Sequence, residues 1–465
     1  MDYPIWNLAM GGGVMIGIVA ITHVLVSHFA VGGGLAIALV ETLAVQRGDP
    51  ALRGLAKRSS LMLILVSTVF GAISGVGIWV TIGLVHPVAT SALIHTYVWG
   101  WATEWAFFIL EVATALAYWA TWEKVRPRTH LLLIWLYAFA AYMSLVIIQG
   151  IIAFMLTPGR WLETRSFWDG FFNPTYLPGL ALRTGICLLL AGSYLTLAAL
   201  REKDPVARPR LVRLLAGISA VGALVAYGGY RWWEAALPDS IRVLFLGAAA
   251  KLPTLAWTRH FLLWALTAYL LFVLFTLAVP RAQRWPVATL TLLLAFGFFG
   301  GYERLREGSR KPFVIRDYMF SNGILVSEIP TLNSSGVLAK AGWAGRGADG
   351  DMIAKGRAVF RAQCASCHTL DGYLSIRKIV APVDADMLGG ILATMRDEGE
   401  EYISGKYTHG GHIATENLDY PFMPPLVGTD DEVEALTAYL LEIKPSQSAA
   451  VAPGEQNVAD ATEGR

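Results

Sequence analysis

The run Cys364-Ala365-Ser366-Cys367-His368 sets two thiols three positions apart with an imidazole directly after them. Thiols at this spacing can each add to a vinyl group of one haem, and the next histidine is then held against the iron. The opposite face of the iron needs its own ligand. Met423 stands in Pro421-Phe422-Met423-Pro424-Pro425-Leu426. Prolines around a methionine fix an extended loop, which can hold a weak thioether at the iron. His/Met ligation favours electron transfer and raises the potential. His409 and His412 compete with Met423 for that position, with a surface role as their simpler reading. A structural metal site or a chance thiol pair is the competing reading of the motif itself.

A second set of ionisable residues stands within or beside long apolar runs, where a charge is costly and by default functional. His23 lies in the first such run. Glu104 and Glu111 lie in Trp101-Ala102-Thr103-Glu104-Trp105-Ala106-Phe107-Phe108-Ile109-Leu110-Glu111. Their spacing of seven is two helical turns, so both face the same way. Glu307 and Arg310 follow the last run. The plainer reading of His23 is a packing histidine bonded to a hydroxyl; that of the two glutamates is a carboxyl pair or a proton path. His28, five residues from His23, is about 140° away around a helix and secondary. His86, His95, His130 and His260 sit near the ends of apolar runs and read as interfacial.

The elements that must position these groups are helices in lipid and a small domain in water. Of 465 residues, 55% are apolar and only 15% charged, against about a quarter charged in soluble proteins. A spanning helix needs about 20 mostly apolar residues. Eight runs qualify: 12–40, 61–85, 97–120, 131–156, 178–200, 211–230, 260–280 and 286–302. The first is too long for a signal-peptide core and reads as a retained span. The loops after the odd-numbered spans hold fourteen lysines and arginines, those after the even-numbered ones six. That bias puts the N-terminus outside, and eight spans return the C-terminal domain to the same side.

The predicted organisation is therefore all-α. A membrane bundle over 1–302 is followed by a connector over 303–350, a soluble helical domain over 351–444 and a disordered tail over 445–465. A net charge of +2 suggests no nucleic-acid partner, and three cysteines, with Cys187 alone in an apolar run, are no disulfide framework.

Two resemblances follow. A helix over 351–364 with Ile353, Val359 and Phe360 on one face, the C-x-x-C-H run, the Met-Pro-Pro-Leu loop and a closing helix opened by Thr429-Asp430-Asp431-Glu432 together resemble a class I cytochrome c domain. Haem is attached to such motifs on the outer side of bacterial membranes, which agrees with the charge bias.

Residues 1–320 resemble the large subunit of the cytochrome bd oxidases. The matching residues are Thr22-His23-Val24-Leu25 through Gly34 to Val40-Glu41-Thr42; Glu104 and Ala106 to Glu111, with one residue fewer between the glutamates; Asn173-Pro174; and Glu307-Gly308-Ser309-Arg310-Lys311-Pro312-Phe313. The resemblance implies that His23 and Glu307 ligate two high-spin haems. It places Glu104 and Glu111 beside them in proton delivery, and pairs Arg310 with haem propionates or a carboxylate.

Two departures stand out. The family's low-spin haem takes a histidine from span five and a methionine from span seven. Here those stretches read Leu180-Ala181-Leu182-Arg183-Thr184-Gly185 and Arg259-His260-Phe261-Leu262. The outer loop that helps form the family's quinol site is also short. One to three membrane haems, b or d, are thus expected beside one covalent haem c. The expected function is a multi-pass respiratory oxidoreductase of a bacterial inner membrane, with a periplasmic C-terminal domain. It would be a terminal oxidase reducing O2 with electrons from a soluble cytochrome c or periplasmic redox protein. The alternative is a non-oxidase subunit relaying electrons between the quinone pool and periplasmic partners. Other membrane subunits are expected in either case.

Overall fold

The computed structural model describes residues 4–245, 253–346, 350–403 and 423–445. The eight predicted runs each form a helix or a continuous helical rod: Gly12–Arg47, Pro50–Val85, Val98–Ala120, Pro127–Phe154, Tyr176–Ala199, Ala207–Ala236, Pro253–Ala278 and Trp285–Gly308. They are called spans one to eight below. Seven are long and apolar enough to cross a membrane by composition. The third falls outside that set and carries both glutamates. It still packs antiparallel along span four, and its 23 residues measure about 34 Å, enough to cross. Span eight continues past the predicted 302 to Gly308, so Glu307 belongs to its last turn rather than to the connector.

Local chemistry explains the turns. Span one ends at Gly48, left-handed at φ 60°, whose N–H caps the Ala44 carbonyl. Asp49 then accepts hydrogen bonds from Ala51 and Leu52 N–H at 2.9 and 3.3 Å, with Pro50 in the first helical position. Span two contains a π-helical stretch, Ile64–Gly71, a distortion found often at functional sites.

Small residues let the spans approach closely. Gly32 of span one lies against the backbone carbonyl of Cys187 in span five, where a Cβ has no room. Gly185, Gly222 and Gly229 do the same between spans five and six. Cys187 is a buried packing residue.

Beyond span eight, β1 (Phe313–Ile315) and β2 (Met319–Phe320) form an antiparallel hairpin. It faces two ways. Phe313 and Phe320 stack at 4.8 Å within the core of the C-terminal domain. Val314, Ile315 and Met319 pack into the bundle with Tyr97, Ile147 and Phe154. The hairpin therefore fastens the domain to the bundle. Within the domain, helices Met352–Gln363 and Asp430–Glu442 cross at Gly356, which abuts the Ala435 carbonyl. Thr429 and Glu432 form a capping box at the start of that closing helix. Glu432 also accepts the N–H groups of Val337 and Leu338 at 2.8 and 3.0 Å, so one buried carboxylate ties the connector to the closing helix.

Candidate haem-binding sites

The helix Met352–Gln363 ends one residue before Cys364, and the chain turns so that Cys367 and His368 N–H bond back to the Cys364 carbonyl at 3.1 and 2.9 Å. The His368 ring donates through Nδ1 to the Leu374 carbonyl at 3.0 Å. Its Nε2 is left for a metal, because a hydrogen bond on one ring nitrogen fixes the tautomer and aims the other nitrogen at the ion. Packing against the core, together with the neighbouring Cys367, pushes the Cys364 thiol up to about 12, so it stays protonated at neutral pH. Both thiols are free. Met423 is 42% exposed at the start of the segment that returns to the core through Leu426 and Val427. These residues fit a covalent haem. His409 and His412 lie outside the described residues. Among the described residues no group of three or more His, Cys, Asp or Glu side chains is arranged to hold a bare metal ion.

The loop after His368 rests on the bundle. Gly372 lies against the Ala9 carbonyl, and Gly11, at φ 96°, lies against the side chains of Thr369 and Tyr373. Span one begins one residue later. The loop that follows the C-x-x-C-H run is thus docked on the N-terminal end of the span that carries His23. The N-terminus and the C-terminal domain share one end of the bundle.

His23 is half-buried. Its Nδ1 bonds Ser74 Oγ at 3.1 Å, and its ring lies against Gly75, just past the π stretch of span two. Nε2 makes no side-chain hydrogen bond among the described residues, so His23 fits a residue that would hold a haem iron. The hydroxyl partner that the plainer reading required is also present. His28 does not fit. Its Nδ1 donates to the Val24 carbonyl at 2.7 Å and its Nε2 accepts from Arg183 at 3.1 Å, leaving neither nitrogen for iron. His260 is exposed, with Nδ1 on the Ala256 carbonyl.

Arg183 organises a buried polar chain that the sequence reading missed. Its guanidinium, 1% exposed, meets His28, the amide of Gln149 at 2.9 Å and the carboxylate of Glu303 at 2.6 Å. Glu303 continues to Arg306 at 3.1 Å, Arg306 lies 3.8 Å from Glu307, and Glu307 pairs with Arg310. The spacing 303, 306, 307, 310 marks one helical face and was the available signal. Arg306 Nη1 and Arg310 Nε are buried without a hydrogen-bond partner among the described residues. Donors of that kind suit the carboxylates of a haem edge. Where span five lacks a histidine, the space holds this ionic chain instead, and the residues present do not fit a third haem there.

Spans three and four carry a second polar ladder. Ser144 donates to Glu104 at 2.6 Å, and Tyr137 donates to Glu111 at 3.1 Å. One more heptad along, Glu41 takes Tyr118 Oη and His130 Nδ1, each at 2.5 Å. His130 also bonds the Tyr118 carbonyl through Nε2 at 3.0 Å. His130, read in sequence as interfacial, stands near the end of its span and is buried there: at 4% exposed it is closed in by Glu41, Tyr118 and Trp122. The two glutamates do share a face, as their spacing predicted. Glu104 and Glu307 lie within two turns of the end that carries the C-terminal domain, and the Glu41 group lies near the other end.

Residues 14–230 match the family model described as cytochrome bd terminal oxidase subunit I, and residues 353–444 match the model for cytochrome c. The first match stops before spans seven and eight, so Glu307 and Arg310 lie beyond it. The solved structure of bd oxidase from Geobacillus thermodenitrificans is similar at a TM-score of 0.59 and 15% identity, over 66% of this chain and 88% of that one. At that identity the likeness speaks for the fold. No curated protein matches the chain.

Proposed function

We propose, from the premise that this chain joins a cytochrome bd subunit I-type membrane domain to a cytochrome c domain, that it is a terminal oxidase fed through its own c-type haem. On this reading the chain is a multi-pass membrane haem oxidoreductase, and four further features complete it. The C-terminal domain lies outside a bacterial inner membrane, its donor is a soluble cytochrome c or similar redox protein, O2 is the acceptor, and other membrane subunits complete the assembly.

One observation carries this reading. The haem-binding loop is docked, through Gly372 on Ala9 and Thr369 and Tyr373 on Gly11, at the head of the span that holds His23. Cys364 and Cys367 would anchor the covalent haem, and His368 and Met423 would hold its iron. His23 would hold one membrane haem through Nε2 and Glu307 another. Bound there, these groups would supply electron exchange and the chemistry for reducing oxygen. Arg306 and Arg310 present N–H donors to acidic edges and keep Glu307 oriented. Glu104 and Glu111, with Ser144, Tyr137, Tyr118, His130 and Glu41, form spaced acceptors and donors suited to moving protons from the opposite face.

The direct test mixes the purified protein with reduced cytochrome c and, separately, with a reduced quinol. Fast haem reduction by cytochrome c supports the reading; fast reduction by quinol alone sinks it. The ion-paired Arg183 in span five favours keeping a second reading, a subunit with fewer membrane haems that relays electrons without oxygen chemistry. Carbon monoxide separates the two, because an oxygen-binding haem changes its spectrum and a set of six-coordinate haems does not.

A further inference from the structure

The side chain just before the first haem thiol reaches across to the other half of the haem-binding domain. Gln363 donates through Nε2 to the Val427 carbonyl at 2.7 Å and accepts through Oε1 from the Val427 N–H at 3.1 Å, across 64 positions of sequence. The residue is 7% exposed, so water competes weakly for either bond. One hydrogen bond is a pivot. A cyclic pair on a single residue also sets the direction in which the chain leaves it.

That direction bears on Met423. Val427 follows it by four residues, through Pro424 and Pro425, whose φ angles are locked. At about 3.1 Å per residue the sulfur-bearing residue stands about 12 Å of stiff chain from the clamp. Two further fastenings hold the same stretch: Leu426 N–H on the Met395 carbonyl at 3.0 Å and Gly428 N–H on Asn333 at 3.2 Å. Both come from segments away from the C-x-x-C-H run. Gln363 is the side chain contiguous with it.

We propose that Gln363 is a positioning residue for the covalent haem: it locks the segment bearing Cys364, Cys367 and His368 to the segment bearing Met423, and so sets the approach of the thioether to the iron. The proposal rests on the reading of Met423 as the sixth ligand. As the last residue of a helix, Gln363 carries no signal in sequence; its burial and paired bonds single it out.

The test uses the full-length protein. Gln363→Leu removes both bonds at similar volume. Gln363→Glu keeps the acceptor for Val427 N–H and turns the other contact repulsive. Three things are read: covalent haem by haem stain after denaturation, the weak red charge-transfer band of a thioether-ligated ferric haem, and the potential of the c-type haem. The wild type is expected to show the band. Gln363→Leu is expected to keep its covalent haem, lose the band in most molecules and fall in potential toward Met423→Ala, with no further fall when the two are combined. Gln363→Glu is expected to fall between, and carries the test alone if the leucine variant does not fold. A band and potential unchanged from wild type in the variant that folds overturn the role of Gln363. Absence of the band in the wild type overturns Met423 ligation and the proposal with it.

Discussion

Arg183 of span five and Glu303 of span eight form a 2.6 Å ion pair that both side chains bury inside the bundle. Breaking a buried pair costs about 3–5 kcal/mol where the other charge is stranded; Arg306, at 3.1 Å from Glu303, offsets part of that here. Arg183→Leu is therefore expected to lower the thermal unfolding temperature in detergent sharply. The double variant Arg183→Leu with Glu303→Gln should recover much of the loss. A single variant as stable as wild type would remove the pair from the stabilising core.

The two histidines of span one divide by their free nitrogens. His23→Ala is expected to lower the ratio of membrane haem to haem c in pyridine-haemochrome spectra by one per chain. His28→Phe should leave that ratio intact and cost about 1–3 kcal/mol of stability, because Arg183 loses an acceptor.

Along spans three and four, Glu111→Gln keeps a bond to Tyr137 but cannot carry a proton. Oxygen consumption is expected to fall on the order of 10²-fold, the range typical of a lost acid–base group. Reduction of haem c by its donor should be unchanged. His130→Ala should act in the same direction, measured with the same oxygen electrode.

The docking of the C-terminal domain makes its own prediction. Gly372→Val places a side chain where the Ala9 carbonyl already lies. Flash-induced transfer between haem c and the membrane haems is expected to slow roughly tenfold or more, since small misplacements of reacting groups cost that order. The covalent haem and its potential should be retained.

Glu432 offers a test of the connector. Glu432→Ala leaves the N–H groups of Val337, Leu338 and Thr429 without their acceptor. Each buried donor left unpaired costs about 1–3 kcal/mol. Calorimetry should show the C-terminal domain melting earlier while the bundle transition stays in place.

Much of this architecture was legible before any coordinates. Two thiols and an imidazole in five consecutive residues are local chemistry, and no fold is needed to bring them together. The eight runs were legible because lipid thickness sets a minimum apolar length, and their helices formed where that length predicted. The common face of Glu104 and Glu111 was legible because helical periodicity is a property of the backbone.

The partners of those residues were not. Arg183 reads in sequence as a missing histidine, yet the fold makes it the hub joining His28, Gln149 and Glu303 from three other spans. His130 shows no partner in sequence until Glu41 and Tyr118 are brought around it. Gln363 reads as an unremarked helix end until Val427 returns to it. Sequence by itself determined which chemistry the chain carries and which stretches lie in lipid, because both follow from covalent neighbours and backbone repeat. Only the tertiary structure decided which nitrogen stays free, which charge is paired and which loop sits on which span. Those depend on packing between elements far apart in the chain, and helical periodicity says nothing about which distant face will meet which.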